Sequence, residues 1–168
     1  DVVVTPVDDA TVECDETVVL TIAPASTYTV GSPSSATVII ADNDAIVTIT
    51  ASDASASEAG PDPGTFTVSR NCTVGSLTVN YAVSGTAGNG TDYTTLPGSV
   101  TISSGASSAA ITVTPMDDSV AECPETVSVT LLASGAYKLG SPSNAVVTIA
   151  DNDFGVTVVA TDPNAAEA

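Results

Sequence analysis

The chain has 168 residues, 20 of them Asp or Glu against one Arg and one Lys, with no His, for a formal net charge of −18. Such a surplus leaves no clustered cations for nucleic-acid phosphates or for an anionic membrane surface, which argues against both as partners. Strong acidity is a mark of disorder, but 43% hydrophobic residues in regular alternation oppose that and leave a binder of metal cations or a protein adapted to high salt.

In chain order, Asp1 is a poor natural start, so the sequence reads as mature or cut from something longer. Residues 1–44 read as the last three strands of one module, with acidic turns at Asp8, Asp9, Glu13 and Glu16 and at Asp42-Asn43-Asp44. A complete module begins with Val47 and Ile49 in the run 46–52, which extends towards Glu58. Further runs with apolar residues at every second position cover 64–70, 76–84, 98–103, 109–115, 125–133 and 144–150, and Thr and Ser fill most alternate positions. β-Branched and small residues suit a half-buried pleated surface. Short runs separated by Gly, Pro, Asn and Asp turns predict an all-β, antiparallel sandwich of about seven strands and about 100 residues. No stretch has a helical period, and no apolar run is long enough to span a bilayer. Residues 154–168 read as the first strand of a following module.

These boundaries come from an internal repeat. Residues 1–59 align with 110–168 without a gap at a constant spacing of 109, and about half of the pairs are identical. Self-similarity on that scale means tandem domains rather than a short solenoid repeat. The array divides into 1–44, 45–153 and 154–168, with short junctions that imply a stiff rod. The first 44 residues cannot close a core and would leave a sheet face and an edge open. The expectation is that the polypeptide continues upstream; the alternative is that a neighbouring copy supplies the missing strands.

The turn Pro115–Glu125 places Asp117, Asp118, Glu122 and Glu125 between two runs. Strand directions through a sandwich bring Glu58, Asp92, Asp151 and Asp153 to the same C-terminal pole. Carboxylates about 4 Å apart repel by about 4 kcal/mol per pair at an effective dielectric near 20. Protonation at neutral pH is one escape and requires large pKa shifts. A hard divalent cation is the other. Calcium accepts six to eight oxygens in irregular geometry, which suits mixed Asp, Glu and backbone carbonyl ligands, and roughly two to four ions are expected. Without His, and with few thiols, zinc and copper fit poorly. Solvated turn acids are the plainer alternative, and salt adaptation would scatter acids over strand faces where Thr and Ser stand instead.

Gly85-Thr86-Ala87 with Asp92-Tyr93, Asp117-Asp118 with Glu122 and Glu125, and Ala150-Asp151-Asn152-Asp153 together resemble the Calx-β motif. The resemblance implies an immunoglobulin-like antiparallel sandwich, as in the calcium-sensing domains of sodium–calcium exchangers and in many secreted bacterial and adhesion proteins. It implies calcium ligands at Glu58, Asp92, Asp117, Asp118, Glu122, Glu125, Asp151 and Asp153, with the backbone carbonyl of Val120. Asn152 stands where the exchanger domains carry a third Asp, which lowers the charge. The preceding module keeps Asp8, Asp9, Glu13, Glu16, Asp42 and Asp44, with Val12 in the carbonyl position. It has no counterpart of Glu58 or Asp92 within the chain. Glu167 is the counterpart of Glu58 in the following module.

Cys14 and Cys123 are equivalent and lie at acidic, C-terminal poles; Cys72 lies at the opposite pole of the complete module. Cys72 and Cys123 are too far apart to meet, but the C-terminal pole of one module abuts the N-terminal pole of the next. A Cys14–Cys72 disulfide across the junction is therefore expected, with Cys123 left for a following module and an oxidising compartment implied. Free thiols are the alternative. Asn71-Cys72-Thr73 and Asn89-Gly90-Thr91 fit the N-glycosylation pattern, although Asn89-Gly90 also reads as plain turn chemistry.

Catalytic vocabulary is thin: there is no His base and no nucleophile motif. The pair Glu122/Glu125 lacks the aromatic cleft of a glycosidase. The expected function is non-enzymatic: a calcium-rigidified structural segment of an extracellular adhesin, surface or filament protein, whose partners are neighbouring modules or copies. The alternative is a sensing or ligand-binding module whose inter-domain angle responds to calcium.

Overall fold

The computed structural model describes residues 1–9, 11–42, 44–60, 62–162, 164 and 166. Glu167 lies outside them.

Residues 45–153 fold as two packed sheets. One has the order β10-β3-β5-β8 and the other β4-β11-β9-β6-β7. The strands are β3 (Ile46–Asp53), β4 (Ser55–Ser57), β5 (Gly64–Arg70), β6 (Leu77–Gly85), β7 (Ser99–Ile102), β8 (Ser108–Val113), β9 (Glu125–Leu131), β10 (Lys138–Leu139) and β11 (Asn144–Ala150). Alternation fixes which face is buried, because successive side chains on a strand point to opposite sides. Val47, Ile49, Phe66 and Val68 from one sheet meet Val79, Val127, Val129 and Val147 from the other, all fully buried. The outward Thr and Ser positions face water.

The first expected strand is in fact two. Its register with β5 shifts between Ala51 and Asp53, and the Asp53 carboxylate accepts the Ser55 N–H at 3.2 Å. The chain thus leaves one sheet and rejoins the other as β4, parallel to β11. That crossing carries Glu58 to the far pole, where its N–H donates to the Ala150 carbonyl at 3.1 Å. The two-residue β10, parallel to β3, is too short to leave a sequence pattern. Tyr137 pins the connection from β9 to β11: its hydroxyl donates to the Leu132 carbonyl at 2.8 Å and accepts the Asn80 N–H at 3.3 Å.

Residues 1–44 hold two strands, β1 (Glu16–Thr21) and β2 (Ser35–Ile40), paired antiparallel. Three were expected. The missing one, residues 1–5, corresponds to β8, which is held by β5, and residues 1–44 contain no counterpart of β5. The same reason leaves 154–162 without strand structure, although the pattern there copies β3. The open face is visible at Leu20, 51% exposed, where the equivalent Val129 is 0% exposed.

At the pole facing residues 1–44, the Arg70 side chain is buried and donates to the carbonyls of Ala106, Thr73, Gly75 and Ser103 at 2.8 to 3.0 Å. The guanidinium fork replaces a sheet ladder there and shapes the loop carrying Cys72. Arg70→Met is expected to lower stability by about 3 kcal/mol, since several carbonyls lose a charged donor at once; urea unfolding checks it.

The junction is stitched several ways. Cys14 and Cys72 form a disulfide with a Cα–Cα distance of 5.1 Å. Beside it, within 45–153, the Asn71 side-chain carbonyl accepts the Ile46 N–H at 2.8 Å. Lys138 Nζ meets the buried Asp44 carboxylate at 2.6 Å.

Candidate metal centre

At the C-terminal pole of 45–153, backbone N–H groups place the carboxylates of Asp92, Asp118 and Asp151. Asp92 follows β6 in a loop seated by the fully buried Tyr93, and its carboxylate accepts the Gly88 N–H at 2.6 Å. Asp118 accepts the Val120 N–H at 2.6 Å, a side-chain-closed turn of the kind Asp favours. Asp151, directly after β11, accepts the N–H groups of Glu122 at 2.8 Å and Asp153 at 3.0 Å. It therefore ties the acidic turn to the strand end. Asn152 Nδ2 donates to Asp117 at 3.0 Å, so the amide that lowers the charge also holds a neighbouring carboxylate. One oxygen from each of Asp92, Glu122 and Glu125 lies within 4.8 Å of the others. Glu58 is buried beside them at 6% exposure. Val120 sits on the exposed turn.

The electrostatics divide the group. Burial, then a hydrogen bond and the charge of Asp92, push Glu125 up from 4.5 to about 7. Burial followed by the charges of Asp151, Asp118 and Glu122 raises Glu58. Glu122 is raised by burial and by Asp92, Asp118 and Asp151. Asp153 is raised by burial and by Asp151, Asp117 and Asp118. The backbone N–H groups of Asp153 and Glu122 hold Asp151 low, and that of Gly88 holds Asp92 low. Glu58, Glu122, Glu125 and Asp153 are thus each raised by burial together with acidic neighbours.

A cation fits this set. The donors are oxygens only, which select hard ions such as calcium or magnesium over zinc. Asp153 Oδ2 and Asn152 Oδ1 are buried without a hydrogen-bond partner, an arrangement that is costly unless something else engages them. The raised Glu125 value gives a pH test in chelator. Its folded pKa, about 7, lies above the unfolded 4.5, so its contribution is complete below pH 4.5 and is lost as pH rises through 7. Urea midpoints of the metal-free protein are expected to fall over that window, and Glu125→Gln flattens the fall.

The other pole repeats the frame on residues 1–44. Asp42 accepts the N–H groups of Glu13 at 3.3 Å and Asp44 at 3.0 Å. With Asp8, Asp9 and Glu16 these line a cleft of about 260 Å³. The charges of Asp9 and Glu16 raise Glu13. The carbonyl position needs correcting. At the spacing of 109 the counterpart of Val120 is Thr11 rather than Val12, and the Thr11 N–H donates to Asp9 at 2.6 Å as the Val120 N–H does to Asp118. Sequence comparison also missed Asp15, whose counterpart is Pro124; its carboxylate accepts the Asp42 N–H at 3.0 Å. Lys138 was missed for the same reason, standing where residues 1–44 have Thr29. Its charge was the available signal.

A family model for the Calx-beta domain matches residues 1–44 and 45–153. Among solved structures, the chain is similar to the apo-form Calx CBD1 domain, with TM-score 0.52 and 22% identity over 66% of this chain and 99% of that one. It is also similar to CBD12 from CALX1.2, with TM-score 0.53 and 24% identity over 64% of this chain and 45% of that one. A structure described as calcium binding domain CBD12 of CALX1.1 has TM-score 0.51 and 25% identity, over 62% of this chain and 44% of that one. The match therefore spans less than half of either CBD12 chain. No curated protein sequence matches.

Proposed function

The chain belongs to the Calx-beta domain family, and from that premise we propose that it is a non-catalytic calcium-binding module whose ions brace the acidic poles of a tandem array. The single observation that carries this reading is the gathering of Asp92, Glu122 and Glu125 oxygens within 4.8 Å, next to a buried Glu58 and two partnerless buried oxygens. The ligands are Glu58, Asp92, Asp117, Asp118, Glu122, Glu125, Asp151 and Asp153, with the Val120 carbonyl. Asp8, Asp9, Glu13, Glu16, Asp42 and Asp44, with the Thr11 carbonyl, serve the other pole. Calcium supplies positive charge and flexible oxygen coordination. The side chains, already held by Asp151 and Asp42 through backbone N–H groups, need little reordering to receive it.

The finer reading is a stiff extracellular segment of an adhesin, surface or filament protein, with neighbouring modules or copies as partners. The Cys14–Cys72 disulfide supports it twice: such bonds persist in oxidising compartments, and this one spans the junction. Together with Lys138–Asp44 it opposes a free change of inter-module angle, which disfavours the calcium-sensing alternative. Small-angle scattering with and without chelator tests the choice. The rigid reading predicts a nearly constant maximum dimension in the oxidised protein and a sharp loss of stability. A calcium-dependent change of shape in the micromolar range, with the bridge intact, would favour sensing instead.

A further inference from the structure

The two acidic poles carry the same turn on unequal supports. The second sits on a closed sandwich, and Pro124 stiffens its turn by fixing φ. The first sits on β1 and β2 alone, an isolated pair of strands that is marginal in water, and it has Asp15 where the second has Pro124. Within the turn, Glu13 N–H reaches Asp42 at 3.3 Å, against 2.8 Å for Glu122 to Asp151, and Asp15 accepts the Asp42 N–H at 3.0 Å. What the first pole has instead is Cys14, between Glu13 and Asp15, bonded to the buried Cys72 of the rigid neighbour. At the second pole the equivalent Cys123 is free and exposed.

We infer that the Cys14–Cys72 bridge is a positioning element for the first pole's cation ligands, so that reducing it weakens calcium binding at that pole and not at the other. The inference rests on the calcium reading above. A dithiol delivers two electrons and two protons, breaking the S–S bond into the Cys14 and Cys72 thiols while closing its own cyclic disulfide. The first pole then keeps its hairpin, the Asp15 contact to the Asp42 N–H and the Lys138–Asp44 pair, but the turn bearing Glu13 and Glu16 is no longer fastened to the rigid neighbour through Cys14. Losing a group that orients metal ligands without touching the metal costs about 10- to 100-fold in affinity.

Calorimetric calcium titration tests it in two backgrounds: Glu125→Gln with Asp151→Asn, which silences the second pole, and Asp9→Asn with Asp42→Asn, which silences the first. Each is measured oxidised and as Cys14→Ser with Cys72→Ser. With only the first pole active, Kd is expected to rise about 10- to 100-fold without the bridge. With only the second active, it stays the same. An unchanged Kd at the first pole overturns the inference, as does an equal loss at both poles, which would mark general destabilisation. Binding at the second pole but none at the oxidised first pole also overturns it. Absence of binding at both poles in the oxidised chain defeats the calcium reading itself. Should the serine pair fail to fold, dithiol reduction of the native chain, with circular dichroism to verify the sandwich, gives the same comparison.

Discussion

Chelating calcium is expected to lower the melting temperature of the 45–153 sandwich by about 12–30 °C. At free calcium about a hundred to a thousand times Kd, one site stabilises the folded state by about 3–4 kcal/mol. For a domain of this size each kcal/mol corresponds to about 4–8 °C. The acids that would be left facing one another include a buried Glu58 and a Glu125 already pushed to about 7. The metal-free state therefore relieves repulsion only by taking up protons or spreading the turn. Scanning calorimetry at pH 7.5 in calcium and in EDTA measures the difference. Magnesium at equal concentration should recover little of it, because its strict octahedral demand suits this irregular set poorly. Identical melting curves in calcium and EDTA would remove the basis for the proposed function.

Gly85→Ala is expected to be the most damaging single-methyl change in the chain, costing about 3 kcal/mol or more. Gly85 has φ of +134°, and a Cβ there would lie 2.0 Å from the Thr126 carbonyl oxygen. Backbone cannot swing aside as a side-chain tip can. The Thr126 carbonyl also accepts the Ala87 N–H at 3.2 Å, and the Thr126 N–H donates to Thr86 Oγ1 at 2.8 Å. The change would pry β6 from β9 where both enter the acidic pole, beside Glu125. Calcium affinity should therefore fall together with the urea midpoint. A variant with wild-type stability would mean that this close approach is not needed.

The positions of the strands and their buried faces were largely legible, because alternation of period two and the 109-residue repeat are written in side-chain chemistry. Val47/Ile49, Val127/Val129 and Val147/Ile149 announce which face of each strand is buried before any coordinates exist. The Gly85-Thr86-Ala87 signature was visible as well, but its cause was not. A positive φ against the carbonyl of a residue 41 positions later is a fact of packing. The register of the acidic turns is written in the same spacing, which pairs Val120 with Thr11 rather than Val12, and the Asp9–Thr11 hydrogen bond agrees with it.

Composition and order alone determined that this chain is acidic and all-β, with acidic turns that recur at a spacing of 109 residues, since charge and hydrophobic period are local properties. Tertiary structure decided how those acids differ. It buried Glu58 by carrying the first strand across from one sheet to the other, raised Glu125 by burying it and setting Asp92 against it, and gave the two poles a closed sandwich and an open hairpin as their supports. Desolvation and charge coupling depend on what approaches from elsewhere in the chain, and no local pattern records that.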